Sequence, residues 1–139
     1  MNNFSFQNPT RLIFGDGMIA SLSKEIPAGK KIMVTYGGGS VKKNGVYDQV
    51  IKALEGRIVT EFWGIEANPT IETLRKAIAL GKEKQIDFLL AVGGGSVLDG
   101  TKLISSGLLY DGDAWELVKK GYYPESVLMG TVLTLPATG

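Results

Sequence analysis

Two apolar runs in this chain end in the same four residues. Lys31 to Tyr36 leads into Gly37-Gly38-Gly39-Ser40, and Phe88 to Val92 leads into Gly93-Gly94-Gly95-Ser96. A short apolar run that closes in glycines and passes into helical spacing is a strand–turn–helix unit. Two copies of that unit commit the chain to parallel strands carrying both turns on one edge of a sheet. Glycine turns ahead of a helix bring bare backbone N–H groups and a serine hydroxyl to that edge, where phosphates bind. A pair of them suggests a dinucleotide, with one turn for each end of the molecule.

The remaining segments fit the same alternation of strand and helix. Phe4 to Phe14 alternates around Asn8-Pro9-Thr10 and predicts two short extended pieces joined by a turn. Met18 to Ile26 has helical spacing and stops at Pro27; Val46, Val50, Ile51 and Leu54 recur at helical intervals before Gly56; Arg57 to Trp63 reads as a strand. Asn68-Pro69-Thr70 opens a helix with Thr70 as N-cap, Glu72 in its first turn and a stripe of Ile71, Leu74 and Ile78. Phe88 to Val92 is continuously apolar, as in a strand covered on both faces. The helix after it runs to about Leu109, Asp111 to Gly121 is polar and turn-rich, and Val127 to Leu135 is a final, buried-looking strand. The expected fold is α/β, a Rossmann-like, mostly parallel sheet with helices on both faces. Ligands of such sheets sit beyond the carboxyl ends of the strands. The chain stops just past that strand, inside Thr134-Leu135-Pro136-Ala137-Thr138-Gly139, which reads as a cut rather than a finished domain, so the strand is expected to keep an open edge and an uncovered apolar face.

Composition removes several classes of chemistry. At 139 residues the chain is the size of one domain, and its formal net charge of +1 sets up no field favouring nucleic acid or an anionic membrane. No apolar run approaches the roughly 20 residues of a bilayer span, and the N-terminus lacks the pattern of a signal peptide. A cytoplasmic protein is expected. Cysteine and histidine are both absent, so disulfides, thiol chemistry, a Ser-His-Asp triad and a histidine-based metal site cannot be built from these residues.

Each turn holds its own candidates. In the second, Gly94 and Gly95 allow close approach to a pyrophosphate, Ser96 can donate to a phosphate oxygen, and Asp99 can accept from a ribose or amide group. Gly100 weakens a helix, which a close approach of strand or ligand would explain. The stretch Gly95 to Lys102 misses a P-loop, because Thr101 stands between Gly100 and Lys102 and the lysine is rotated about 100° around the helix. Lys102 is then expected at the surface. In the first turn, Gly37-Gly38-Gly39-Ser40-Val41-Lys42-Lys43 holds no carboxylate to meet a ribose 2′-hydroxyl or repel a 2′-phosphate. Ser40 can donate and Lys42 or Lys43 can supply charge, so NADP(H) is expected ahead of NAD(H).

Together these residues resemble the iron-containing (group III) alcohol dehydrogenases, in particular the NADPH-dependent aldehyde reductase and butanol dehydrogenase branch. The resemblance runs through Asn8-Pro9-Thr10-Arg11, Phe14-Gly15, Thr35 to Lys43, Asn68-Pro69-Thr70, Ala91 to Lys102 and Thr134 to Gly139. It implies the N-terminal part of a dehydroquinate synthase-like fold, residues 1–139 being a truncated dinucleotide-binding domain whose C-terminal helical metal-binding domain is absent. It also implies that Gly94, Gly95 and Ser96 form the pyrophosphate loop, with Asp99 beside the nicotinamide half. Gly38, Gly39 and Ser40, entered through Gly37, resemble the 2′-phosphate site, and NAD-using relatives carry aspartate where Gly39 stands. Thr134, Leu135 and Thr138 resemble a wall against ribose and phosphate, and Asn68 lies near the adenosine. In the parent protein the resemblance implies a divalent metal, iron or zinc, hydride exchange between aldehyde and alcohol, and a homodimer whose N-terminal strands, Asn3 to Phe14, meet. The chain alone is expected to be inactive. A glycerol dehydrogenase or dehydroquinate synthase type, and a non-catalytic nucleotide-binding or interaction module, are the other readings.

Overall fold

The computed structural model of the chain describes residues 2–136. Its strands are β1 (Lys31–Tyr36), β2 (Ile58–Phe62), β3 (Phe88–Gly94) and β4 (Leu128–Leu135). They form one sheet in the order β2-β1-β3-β4, and every neighbouring pair is parallel. The helices are α1 (Leu22–Glu25), preceded by a 3₁₀ turn at Met18–Ser21, then α2 (Ser40–Lys43), α3 (Val46–Ala53), α4 (Ile71–Glu83), α5 (Gly95–Gly107) and α6 (Ala114–Lys120).

Strand order reverses at β1: the chain steps outward to β2, then returns to place β3 on the other side. Consistent crossovers in opposite directions put their helices on opposite faces. Side-chain alternation along the strands sorts the core accordingly. Ile32, Val34, Tyr36, Leu90 and Val92 pack with Ile26, Val41, Val50 and Leu54 on one face. Met33, Leu89 and Ala91 pack with Leu74, Ala77, Ile78, Val97 and Ile104 on the other. Both faces of β1 and β3 are therefore buried, which is why Phe88 to Val92 reads as an unbroken apolar run. The bases of the two strands are also pinned: the Lys31 N–H donates to Asp87 Oδ1 at 2.7 Å and the Asp87 N–H to the Lys31 carbonyl at 3.1 Å.

The cap expected at Thr70 is present, its hydroxyl accepting from the Thr73 N–H. Four expectations need correction. Phe4 to Phe14 contains no strand; Phe4, Phe6, Leu12 and Phe14 are exposed, because alternation makes a strand only where a partner strand supplies hydrogen bonds. The segment from Asp111 to Gly121 contains α6, whose Ala114 and Leu117 are buried one turn apart and whose end is marked by Gly121 at φ 60°. The last strand is not buried, and the open, apolar edge expected of it is present: β4 lies at an edge, and Leu128, Leu133 and Leu135 are exposed. Gly100 faces no strand but α4 and the segment before it, since a Cβ there would stand 3.0 Å from Leu74 Cδ2 and 3.2 Å from Ile65 Cγ2. It permits α5 to lie close against the start of α4.

Helix α6 is tied to α4 by a two-pronged ion pair. Arg75 Nε donates to Asp113 Oδ1 at 2.9 Å and Arg75 Nη2 to Asp113 Oδ2 at 2.6 Å. The guanidinium holds the Asp113 carboxyl below its ordinary range. A carboxyl lowered on folding contributes stability above its unfolded pKa, about 3.9, and that contribution vanishes as pH falls through the folded value. Urea denaturation of wild type and Asp113→Asn should therefore differ at neutral pH and converge in acid. A gap that widens below pH 4 would contradict the pairing.

Candidate functional site

The register of β1 against β3 sets Tyr36 opposite Val92, so the two glycine turns leave the sheet side by side on its carboxyl edge. This is the switch point of the strand order, where open α/β sheets hold their ligands. Within the first turn Gly39 has φ 106°, a left-handed conformation open to glycine and strained for other residues. An added Cβ at Gly38 or Gly39 would meet nothing within 4 Å, and the same is true at Gly94 and Gly95. All four therefore present open backbone. Gly37 is different: a Cβ there would stand 3.4 Å from both the Ile65 carbonyl oxygen and Val97 Cγ2.

In the second turn Gly93 has φ 154°, and a Cβ would come within 2.8 Å of Val97 Cγ2. Gly94 is the N-cap of α5 and makes no side-chain cap bond, so the first N–H groups of a thirteen-residue helix face the sheet edge. Beside them a cavity of about 490 Å³ is lined by residues including Gly95, Ser96, Asp99, Lys102, Leu133 and Leu135. Leu133 and Leu135 arrive through β4, which pairs with Gly93 and Gly94 across a register irregularity that steps past Thr134. Of the expected wall, Leu135 thus lines the cavity, Thr134 is half-buried in the strand, and Thr138 lies outside the described residues. Asp99 and Lys102 form an exposed pair at 3.5 Å, as expected for a surface lysine. The residues from Gly37 to Ser40 do not line this cavity; they lie at the neighbouring strand end.

A strap absent from the sequence reading joins the turns. After β2 the Gly64 N–H donates to the Gly37 carbonyl at 3.2 Å and the Ile65 N–H to the Tyr36 carbonyl at 3.1 Å. Three residues later Asn68, at φ 55°, donates its N–H to Ser96 Oγ at 3.4 Å. Asn68 therefore stands beside the second turn. By accepting that bond, Ser96 keeps its hydroxyl proton for another acceptor. The strap is anchored by Glu66, which accepts from the hydroxyls of Thr70 and Thr73; those bonds lower its pKa, Thr73 most.

Beneath the first turn lies an aromatic stack. Tyr36 lies on Trp63 with ring centroids 4.0 Å apart and planes 15° apart. Glu61 accepts from Tyr47 Oη at 2.9 Å and from Trp63 Nε1 at 3.0 Å, and the bond to Glu61 raises the Tyr47 pKa. Among the described residues the buried Tyr36 hydroxyl has no hydrogen-bond partner, and burial pushes its pKa upward. Lys42 Nζ stands 4.5 Å from the Trp63 ring centroid and 5.1 Å from that of Tyr47. Such cation–π contacts hold a charge in place without neutralising it. Of the two lysines following the first turn, Lys42 is the one seated on these rings.

Histidine and cysteine are absent from the sequence, and among the described residues no three acidic groups converge. Nor, among them, is any helix long and apolar enough to cross a membrane.

Comparison with known proteins agrees with this arrangement. The family model described as iron-containing alcohol dehydrogenase matches residues 9–139. The probable NADH-dependent butanol dehydrogenase 1 of Bacillus subtilis is 54% identical over 143 residues, covering 100% of this chain and 37% of that protein. The NADPH-dependent aldehyde reductase YqhD of Escherichia coli is 53% identical over 143 residues, with the same coverage. The crystal structure of E. coli YqhD superposes with a TM-score of 0.95 at 52% identity, covering 99% of this chain and 36% of that one. That of NADH-dependent butanol dehydrogenase A from Thermotoga maritima gives 0.93 at 40% identity, again covering 99% and 36%. The chain thus spans little more than a third of the length of these relatives, whose names divide between NADH and NADPH.

The crowding at Gly93 makes the second turn sensitive to a single methyl. Gly93→Ala should destabilise the chain by about 1–3 kcal/mol, the scale of a residue forced into a sparsely populated backbone region. Gly38→Ala, which meets open space and has no positive φ, should cost less. Equal losses in chemical denaturation would contradict the difference between the two positions.

Proposed function

The chain belongs to the iron-containing alcohol dehydrogenase family, and on that premise we propose that it is the cofactor-binding portion of an NADP(H)-linked reductase that interconverts aldehydes and alcohols. The observation that carries this reading is the pairing of Tyr36 with Val92, which aligns two open glycine turns at the switch point. The cofactor, when bound, supplies the hydride. This chain's residues bind and orient it. The N–H groups at Gly94, Gly95 and Ser96, with the Ser96 hydroxyl, receive the pyrophosphate, and Asp99 faces the nicotinamide half. Leu135 and Thr134 form a wall. Asn68 holds Ser96 and borders the adenosine.

The first turn selects the cofactor in this reading. Gly37 leads into Gly38, Gly39 and Ser40, which leave room for a 2′-phosphate, and the nearby cation of Lys42 favours it. The names of the relatives support use of a nicotinamide cofactor without choosing between its forms, so the preference for NADP(H) rests on these residues. A divalent metal, iron or zinc, is left to the helical domain of the parent protein, since the donors in hand do not fit one. We place the parent in the cytoplasm as a homodimer meeting through Asn3 to Phe14, where Phe4, Phe6, Leu12 and Phe14 lie exposed.

Fluorescence titration with NADPH and NADH tests the cofactor reading. NADPH should bind more tightly, and Gly39→Asp should reverse the order by adding a charge that repels the 2′-phosphate. A loss of about tenfold in NADPH affinity corresponds to about 1.4 kcal/mol. Gly39→Asn carries the same backbone strain without the charge and should leave the order unchanged. An NADH preference in the wild type would overturn the reading of Gly39. For the dimer, sedimentation should show self-association that weakens when Phe6 and Phe14 become serine; a monomer at high concentration would count against it.

A further inference from the structure

We propose that Thr35 and Thr101 are positioning residues: a buried hydroxyl pair that sets how α5 lies on the sheet and so aims the Gly95 and Ser96 N–H groups. The proposal rests on the cofactor reading above for its purpose, though not for its geometry. Thr35 stands two positions before Gly37 on β1, and Thr101 lies five positions after Ser96 on α5. One side-chain contact therefore connects the two segments that carry the glycine turns. Both residues are fully buried, at 0% exposure, so neither touches a ligand at the sheet edge.

The shorter contacts give the protons of this pair one direction. Thr101 Oγ1 is 2.7 Å from the Val97 carbonyl oxygen, which can only accept, so Thr101 donates its single proton there. Thr35 Oγ1 is 2.7 Å from Thr101 Oγ1 and 3.4 Å from the Leu90 carbonyl oxygen. With the Thr101 proton already committed, Thr35 donates to Thr101 across the shorter gap. The result is a chain from Thr35 through Thr101 to the Val97 carbonyl, in the first turn of α5.

Directional contacts matter here because the surrounding contacts are not directional. Val97 and Ile104 share an apolar cluster with Met33, Leu89 and Ala91, and apolar packing alone allows a helix to slide or rotate slightly. Toward its other end α5 is fixed by Ser105, whose Oγ donates to the Val127 carbonyl at 2.6 Å and whose own carbonyl accepts from the Val127 N–H. Thr101 fixes the end that opens onto the phosphate site. The first N–H groups of α5 point wherever that end is held.

Valine and smaller variants in the 139-residue chain test this. Thr35→Val and Thr101→Val should each lower stability in urea, Thr101→Val more, because it leaves the Thr35 hydroxyl only the longer contact to Leu90. The double variant should recover much of that loss, since removing both partners leaves no orphaned hydroxyl. A purely structural role would restore everything with it. Instead, the double variant should still show displaced Gly95 and Ser96 amide resonances in ¹⁵N spectra, with Gly38 and Gly39 unmoved. Its NADPH affinity should fall by about three- to tenfold, the scale of one hydrogen bond. Thr101→Ser and Thr101→Ala differ by one oxygen and carry the test if the double variant does not fold. Serine should keep the wild-type resonances and alanine should not. Wild-type Gly95 and Ser96 resonances in the double variant, or identical spectra for the serine and alanine variants, would overturn the proposal. Failure of the wild type to bind either dinucleotide would overturn the cofactor reading alone, and the amide positions would still decide the positioning role.

Discussion

Parallel pairing of β1 with β3 is the interaction on which the rest of this molecule depends. It joins two strands that are distant in sequence, buries both of their faces, and ends them in register at Tyr36 and Val92. A slip of one residue would turn Ile32, Val34 and Tyr36 toward the face now filled by Met33, Leu89 and Ala91. The same slip would offset the two glycine turns. Core and site are thus specified by one set of hydrogen bonds, and the site inherits its geometry from the core.

Around that pairing, local chemistry refines the edge. The strap from Gly64 to Thr70 ties the first turn to the second through backbone donors, and the hydroxyl chain through Thr101 ties β1 to α5 beneath it. The glycines divide their work. Gly93 is small because protein crowds it and Gly37 borders protein at contact distance, whereas Gly38, Gly39, Gly94 and Gly95 leave backbone exposed to whatever binds. Replacing Gly93 disturbs packing, while replacing one of the exposed four changes what the edge can accept.

Much of this was legible in the residues. The continuous apolar run before Gly93 marks a doubly covered strand, the shorter one before Gly37 marks a strand without showing that both its faces are covered, and Thr70 announces the start of α4. The missed features lacked such signatures. Gly64 and Ile65 reach the first turn through backbone N–H groups, which no side-chain pattern reports. Helix α6 is seven residues long and carries two buried side chains, too little periodicity to stand out from its polar surroundings, although Asp113 and Gly121 bracket it. Phe4 to Phe14 alternates like a strand, yet strand formation is settled by a partner rather than by alternation. For Gly100 a sequence shows that room is needed without showing whether a strand, a ligand or, as here, the start of α4 takes it.

The stack of Tyr36 on Trp63 has a spectroscopic consequence. The indole lies in van der Waals contact with the last residue before the first glycine turn and has an ammonium group 4.5 Å from its ring. Indole emission responds to nearby charge and polarity, so displacement of Lys42 or of that turn registers in the colour and yield of Trp63. The other tryptophan, Trp115, lies on α6 with 45% of its surface in solvent. The chain therefore carries its own optical gauge of the first turn, readable without a label.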